Sequence, residues 1–486
     1  MNPLVVVENP RRWPFQLEGV ETVSARAYLT ERRYAEERRL AVYNVCRNYG
    51  YQTVGYYVSL LAAARGHRPL PSVSTLQALG ETALIRIASS ELDDLIQQSL
   101  APLRSPEFRL SIYFGRNVAK RYDRLSRALF NQFPAPFLRA RFNHDGERWR
   151  MASLRPIPAG DVPEIHLPFA MEQARTYFAR PARARRPKEY RYDLAILVNP
   201  DEETPPSDEG ALRRFRKAAH ESGIETEIIG RDDYGRIAEF DGLFIRETTA
   251  VNHHTYRFAH RAQAEGLVVL DHPEAIVRCG NKVYQAELFA RHDILCPTTL
   301  VVHEGNVSDV GPSVGFPWVL KKPDGAFSRG VRKVETEVEL ESALRELFRE
   351  SELVVAQSFT PSAFDWRIGV LDRKALFVCK YHMARGHWQI IHGERTHGRY
   401  GRVEPVPVDE APGRAVELGV RAASLIGDGL FGVDVKEVDG RFLVMEVNDN
   451  PNIEAGLEDH ARKQGLYEAI AEWFRIRLDA RGGNTP

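Results

Sequence analysis

Long apolar runs, paired cysteines and an excess of either charge are all missing from this chain of 486 residues. No stretch approaches the roughly 20 consecutive apolar residues that a transmembrane helix requires, so no spanning helix is expected. The amino terminus, MNPLVVVENPRRW, has only a short apolar run and no basic segment before it, unlike a secretory leader. A soluble, cytoplasmic protein is therefore expected. The four cysteines, Cys46, Cys279, Cys296 and Cys379, lie far apart and form no CxxC pair. That pattern suits reduced thiols better than a disulfide framework or a zinc site. Basic and acidic side chains balance at 66 each, so neither a nucleic acid nor a membrane is expected as a partner. The parallel strand-and-helix series that starts near residue 192 lacks the dinucleotide fingerprint GxGxxG, and the glycine-containing loop after Lys321 and Lys322 does not match the phosphate loop GxxxxGK[ST]. We find no internal repeat or low-complexity tract in the sequence.

The length is more than one core can hold and suggests about three domains, and 43% apolar residues allow sizeable cores. The clearest break is the basic, Pro-interrupted stretch RPARARRPKEYRYD, which reads as a linker. Before it, the pattern is mixed α/β. Residues 51–65 place Val54, Tyr57, Val58 and Leu61 on one helical face, 108–114 reads as a buried strand, and Asp145-Gly146 signals a hairpin. After it, DLAILVNP, GALRRFRKAAHESG, TEIIG, DGLFIRE, HTYRFAHRAQAEG and LVVLD alternate strand and helix as a parallel βαβ series. From CPTTLVV onward the chain is rich in strands. The boundaries read as an accessory α/β domain at 1–180, a linker at 181–191, an α/β layer at 192–296, two α+β lobes at 297–372 and 373–478, and a tail at 479–486.

Chemistry concentrates in the later part. In LFGVDVKEVDGRFLVMEVNDNPNIE, strand alternation sends Glu446 and Asn448 to one face and Met445 and Val447 to the other. Asp434, Glu446 and Asn448 can then converge on one hard cation, Mg²⁺ or Mn²⁺, which keeps positions open for substrate phosphates. A polar-edged hairpin without an ion is the plainer alternative. GFPWVLKKPDGAFSRGV joins a strand ending in Lys321 and Lys322, which point to opposite sides, to a loop holding Gly325, Ser328, Arg329 and Gly330. Backbone N–H groups there, with Ser328 and Arg329, can neutralise phosphate, although Lys322 and Arg329 read equally well as solvent-facing charges. Residues 324–330 are expected to be mobile without nucleotide. Upstream, Lys282 opens a helix after Gly280-Asn281. Downstream, ELVVAQSF is a buried strand with a polar edge at Gln357.

Together these segments resemble the ATP-grasp superfamily, and within it the RimK-like branch of glutamate and amino-acid ligases, over roughly residues 192–475. The resemblance implies two α+β lobes closing on ATP behind a parallel α/β layer. It assigns Lys282 to the nucleotide phosphates, Lys321 to α-phosphate and adenine, and Gln357 and Ser358 to adenine. FDWRIGVL would give Asp365 a ribose or substrate-orienting role and Arg367 an anion-binding one, and Asp434, Glu446 and Asn448 become the metal triad. Residues 1–180 resemble the extra domain ahead of some RimK-like ligases, where a scaffold or partner-recognition role is favoured over a second catalytic centre.

The implied reaction transfers the γ-phosphoryl group of ATP, bridged by one or two Mg²⁺, to a carboxylate; an amine then displaces phosphate and leaves an amide. Lys282, Lys321 and Ser328 would clamp phosphate oxygens, Arg367 would stabilise charge on the acylphosphate or oxyanion, and Asn448 could serve both metal and catalysis. For the co-substrates, Arg246 is a candidate carboxylate ligand, and Lys380, Arg385 and His392 are candidate contacts in a basic segment interleaved with Tyr381, Trp388 and Tyr400. His253-His254 reads as a helix-cap region with one buried imidazole rather than a metal site. Where relatives carry an Arg and an Asn followed by glycines, this chain has WQIIHGE, so a small molecule or peptide is as good an acceptor as a protein tail. A D-alanine-type dipeptide ligase and a nucleotide-binding regulatory or scaffolding protein without catalysis are the other readings. A homo-oligomer is the expected assembly.

Overall fold

The computed structural model describes residues 2–15, 17, 19–37, 40–81, 85, 89, 92–179, 190–310, 315–324, 331–384, 387–389, 391–392 and 399–481. Its contacts divide into two units, Met1–Pro187 with Tyr234–Glu239, and Lys188–Asp233 with Phe240–Pro486. Among the described residues no helix is long and apolar enough to cross a membrane.

The first unit opens with strands β1 (Asn2–Val7) and β2 (Glu21–Ser24), helices α1 (Ala25–Thr30) and α2 (Arg32–Glu36), strand β3 (Leu40–Asn44), helix α3 (Val54–Ala64), strand β4 (Arg68–Leu70) and helix α4 (Val73–Gly80). The strands form a parallel sheet in the order β2-β1-β3-β4. The buried face of α3 carries Gly55, Val58, Ser59 and Ala62, whereas Val54 and Tyr57 are exposed, which corrects the face expected from sequence. Close approach explains the difference. A Cβ on Gly55 would lie 2.4 Å from the Asn48 carbonyl oxygen, and Asn44 donates to the Gly55 carbonyl at 2.6 Å and to Ser59 Oγ at 2.9 Å. The helix thus meets the sheet through its small residues.

Helix α5 (Asp93–Leu100), strand β5 (Glu107–Tyr113), helix α6 (Asp123–Gln132), the hairpin β6 (Phe137–His144) and β7 (Trp149–Pro156), and helix α7 (Leu167–Ala179) complete this unit. The antiparallel sheet β5-β6-β7 turns at Asp145-Gly146 as expected, with Gly146 at φ +103°. Leu110, Ile112, Leu138 and Phe142 join Val5, Val7 and Tyr43 in one core.

The second unit begins with β8 (Tyr192–Leu197), α8 (Glu209–Glu221), β9 (Ile224–Ile229), β10 (Gly242–Ile245), α9 (His254–Ala264), β11 (Val268–Leu270), α10 (Pro273–Gly280) and α11 (Lys282–Arg291). These strands are parallel, in the order β9-β8-β10-β11. Next come β12 (Thr299–Val302), β13 (Trp318–Lys321), β14 (Val331–Val334), α12 (Glu337–Leu347) and β15 (Val354–Ser358), an antiparallel sheet ordered β12-β15-β13-β14. Trp318, Leu320, Leu340, Leu344, Val354 and Ala356 form its core. The last sheet is antiparallel in the order β18-β17-β16-β19-β20, from β16 (Phe364–Leu371), β17 (Lys374–His382), β18 (Val403–Val406), β19 (Leu430–Val438) and β20 (Arg441–Asp449). Helix α13 (Gly413–Ile426) packs on it, and α14 (Gln464–Arg481) packs on α8.

The two parallel sheets correct the reading that the chain lacks an internal repeat. Their strand orders are the same, and β4, α3 and α4 recur as β11, α9 and α10 at an offset of 200 residues throughout. Gly66 and Gly266, at φ +72° and +71°, end α3 and α9 alike. Identity is confined to Tyr56/Tyr256, Ala62/Ala262, Ala64/Ala264, Gly66/Gly266, Leu70/Leu270 and Gly80/Gly280. What persists is the pattern of burial: Val58 and Phe258, Ser59 and Ala259, and Leu79 and Cys279 are buried in both copies. Size changes at each position erase the sequence signal while the packing survives.

One contact of the last sheet is especially tight. Gly369 on β16 faces Phe377 on β17, and a Cβ there would lie 2.2 Å from the buried ring. Gly369→Val is expected to destabilise the protein by about 1–3 kcal/mol, the usual range for an overpacked core. A lower denaturation midpoint at unchanged m-value would show it.

Candidate active site

The cleft between the two antiparallel sheets of the second unit is built on the β19–β20 hairpin. Asp434 pairs with Glu446, but the next pair is Val435 with Val444, so Met445 is an extra residue on β20. This bulge corrects the simple alternation expected from sequence. Val444 and Val447 both face the core, whereas Met445 turns into the cleft beside Glu446. One added residue shifts the alternation by one position.

Arg367 on β16 lies across from Asp434 and grips it bidentately, Nε to Oδ1 at 2.5 Å and Nη2 to Oδ2 at 3.0 Å. Gly432 makes room for the guanidinium, because a Cβ there would lie 3.1 Å from Arg367 Cδ. The Tyr381 ring backs Arg367 at 4.7 Å, and the Tyr381 hydroxyl donates to Glu458 at 2.5 Å. Asn448 Nδ2 approaches Asp434 Oδ2 at 3.3 Å and Glu446 Oε1 at 3.4 Å. Lys282 Nζ lies 3.8 Å from Glu446 Oε2.

Two further lysines close the ring of charge. Lys321 donates to Gln357 Oε1 at 2.7 Å, and Gln357 donates onward to Thr299 at 3.1 Å. Lys436 donates to Asp365 at 2.6 Å and to Ser362 at 2.7 Å. Lys436 was missed in the sequence. It stands two residues after Asp434, so alternation along β19 was the signal that puts both on one face. The cleft encloses about 150 Å³ and is lined by these lysines and carboxylates with Ser358, Phe359, Met383, Trp388 and Met445.

Charge and burial tune these groups against one another. Burial works against ionised Glu446, yet Lys282, Lys321 and Arg367 outweigh it and hold this carboxyl below its usual pKa. Burial pushes Asp434 up to about 6 against the pull of Arg367. Burial, with Lys282 and Lys436 nearby, pushes Lys321 down to about 8 in spite of Glu446. Two carboxylates and an amide on neighbouring strands are an oxygen donor set that fits a hard divalent cation.

The helix after Asn281 fixes the hairpin. Asn281 caps α11 by accepting from Tyr284 N at 2.9 Å, and the same helix presents Lys282 to Glu446 and Gln285 to the backbone of Val447. Gln285 accepts from Val447 N at 2.8 Å and donates to Val447 O at 2.9 Å. The residue between Glu446 and Asn448 is thereby held on both sides.

Several sequence-based candidates lie elsewhere. Arg246 is buried and its guanidinium donates to Ser207 at 3.0 Å, Asn450 at 2.6 Å, Pro206 O at 2.6 Å and Pro451 O at 2.9 Å. It braces the segment after β20 and does not reach into the cleft. Lys380 alternates away from Tyr381 and pairs with Glu404 at 3.2 Å. Lys322 pairs with Glu350 at 2.5 Å, the surface role of a solvent-facing charge. Ser328, Arg329 and Arg385, the expected mobility of most of 324–330 and the side chain of His392 lie outside what the structure describes.

Oxygen-bearing side chains facing buried lysines across a cleft between two antiparallel sheets are the arrangement expected of the ATP-grasp class of ATP-dependent ligases. Residues 25–173 match the family described as RimK-like ATPgrasp N-terminal domain, and residues 279–466 match the RimK-like ATP-grasp domain. The chain is similar to the alpha-aminoadipate–LysW ligase LysX of Sulfolobus acidocaldarius, 29% identical over 43% of this chain and 75% of the relative. It is also similar to a probable alpha-L-glutamate ligase of Rhodopirellula baltica, 24% identical over 55% of this chain and 69% of that one. Among solved structures it resembles the RimK domain ATP-grasp protein of Sphaerobacter thermophilus, 17% identical with a TM-score of 0.44, over 58% and 98% of the two chains. The chain is thus a RimK-like ATP-grasp protein with the RimK-like N-terminal domain ahead of it, an ATP-dependent carboxylate–amine ligase.

Breaking the Arg367–Asp434 pair from one side leaves a buried charge alone. Arg367→Met is expected to cost about 3–5 kcal/mol in chemical denaturation, and Arg367→Met with Asp434→Asn to recover much of it.

Proposed function

We propose that this ligase activates an amino-acid or peptide carboxylate with ATP and joins it to the amine of a second amino acid or peptide. The observation that carries this reading is that Lys282, Lys321, Asp434 and Glu446 line one cleft, with Arg367 bound to Asp434 beside it. When bound, a divalent cation, Mg²⁺ in this reading, neutralises phosphate charge and polarises the transferring group. Asp434, Glu446 and Asn448 would hold one or two such ions.

The chain's own groups supply the rest. Lys321 and Lys282 bind phosphate oxygens, and Gln357 and Ser358 present hydrogen-bonding groups to the base. Lys436 holds Asp365 in place for the ribose or the acceptor. Arg367 would stabilise the negative charge that grows as the amine attacks the acylphosphate, and its bond to Asp434 keeps it aimed. The enclosing lysines replace water around the phosphates, so the barrier falls mainly through positioning and preorganised charge. The curated relatives are named for alpha-aminoadipate and glutamate. An acidic amino acid is accordingly the first co-substrate to test, with a small molecule, peptide or protein as its partner. A homo-oligomer belongs to the same reading.

Phosphate release is expected to require ATP, Mg²⁺ and two co-substrates together, with a product heavier than one by the mass of the other less water. Glu446→Gln is expected to abolish that release while leaving the thermal melt unchanged. Tight ATP binding without release across amino acids, peptides and candidate protein acceptors would instead favour a regulatory nucleotide-binding protein.

Lys321 predicts a pH dependence. Its ammonium is charged below about 8 and loses its proton as pH rises through that value. ATP phosphates favour the charged form, so ATP affinity should be flat up to about pH 7 and then weaken by up to about tenfold per unit above 8. Calorimetric titration checks this, and Lys321→Met should be weak at every pH and lack that bend.

A further inference from the structure

Outside the cleft, the loop after β10 and the first turn of α9 bring three metal-binding side chains together. Glu247, His253 and His254 each offer one ligand atom, and these atoms lie within 4.8 Å of one another. Glu247 is 2% exposed and His254 is buried, while His253 is half-buried, so the cluster opens on one side. His254 Nε2 lies 2.9 Å from Glu247 Oε1 and 3.0 Å from Oε2, and its hydrogen bond goes to Oε2. Glu247 Oε1 is buried and accepts no hydrogen bond. A buried oxygen of a carboxylate without a donor is costly, and the histidine bonded to its twin leaves it so.

The scaffold around the three residues is fixed. Asn450 donates to the Glu247 carbonyl at 2.7 Å, Thr249 donates to Asp449 at 2.6 Å, and His253 Nδ1 pairs with Thr255 Oγ1 at 3.1 Å. The two imidazole rings stand 4.0 Å apart. The repeated fold in the first unit is an internal control. At the positions of His253 and His254 it carries Thr53 and Val54, and by strand register Glu247 corresponds to Cys46. The same strand, loop and helix form there without ligands, so the architecture does not need them.

We infer that Glu247, His253 and His254 form a second metal site, separate from the ATP cleft, which takes one divalent transition-metal ion of the Zn²⁺ type. Two imidazoles and a carboxylate are three protein ligands of a four-coordinate ion and leave one position for water. Mg²⁺ is a poor match, because imidazole nitrogen is not its preferred donor. The ion takes the place of the hydrogen bond between His254 and Glu247 and satisfies the orphaned carboxylate oxygen, with His254 neutral and its proton on Nδ1. Its place beside Asp449 and Asn450 joins the parallel sheet to the end of the hairpin that carries Glu446 and Asn448.

The test is a Co²⁺ titration of untagged, chelator-stripped full-length protein in excess Mg²⁺, followed by displacement with Zn²⁺. One equivalent of Co²⁺ should bind with a visible band of low coordination number, and Zn²⁺ should bleach it and raise the melting temperature. The band should be lost in His253→Ala and His254→Gln and kept in Glu446→Gln, which separates this site from the ATP-site cation. His253 is half-buried, so His253→Ala decides the matter if His254→Gln fails to fold. No stoichiometric Co²⁺ or Zn²⁺ in the wild type, or an undiminished band in His253→Ala, would overturn the proposal.

Discussion

The buried Arg367–Asp434 pair is the constraint on which the cleft depends. Both side chains leave water, and the attraction between them repays that loss only because two hydrogen bonds align the fork with the carboxylate. Everything nearby is arranged to let the pair form. Glycine at 432 clears the strand for the guanidinium, and Tyr381 covers it from behind. Lys282 stands beside Glu446 and Lys436 beside Asp365, while Lys321 donates to the Gln357 amide in the same space. Such a network is poised for a ligand that is itself rich in both signs of charge. Under the proposed function, phosphates and their cation would exchange with the internal pairs without leaving a group bare.

The hairpin owes its position to helices and strands far away in sequence. Gln285 clasps the backbone of Val447 on both sides, and Arg246 holds Asn450 and Pro451 just beyond Asn448. Asp271 accepts from Asn450 N at 2.6 Å and from Leu430 N at 3.3 Å, tying both ends of the hairpin to the parallel sheet. A shift of 1 Å in any of these would move Glu446 relative to Lys282. The position of the hairpin is therefore a property of the whole second unit, and Arg246 contributes to it from outside the cleft.

Much of this was legible beforehand. Alternation with turn residues marked the hairpin, the parallel series followed from strand and helix in succession, and the spacing of Asp434, Glu446 and Asn448 survived intact. The errors have physical causes. A bulge at Met445 cannot be read from alternation, since one added residue leaves composition unchanged. Arg246 looked available because sequence carries no information on burial, and four protein acceptors surround it. The repeat of the parallel sheet went unseen because shape, turn and burial persisted while side chains changed.

By itself the sequence determined the local grammar: where strands alternate, where glycine and asparagine end helices, and which oxygen donors stand two positions apart on one strand. Those features depend on neighbours in the chain, which the sequence states directly. Only the tertiary structure decided which charges meet, which are spent within the protein and which face the cleft. It also curled the loop after β10 so that Glu247 meets His253 and His254. Apart from that local cluster these are contacts between distant segments, and their energies depend on distance and burial that exist only once the chain has closed on itself.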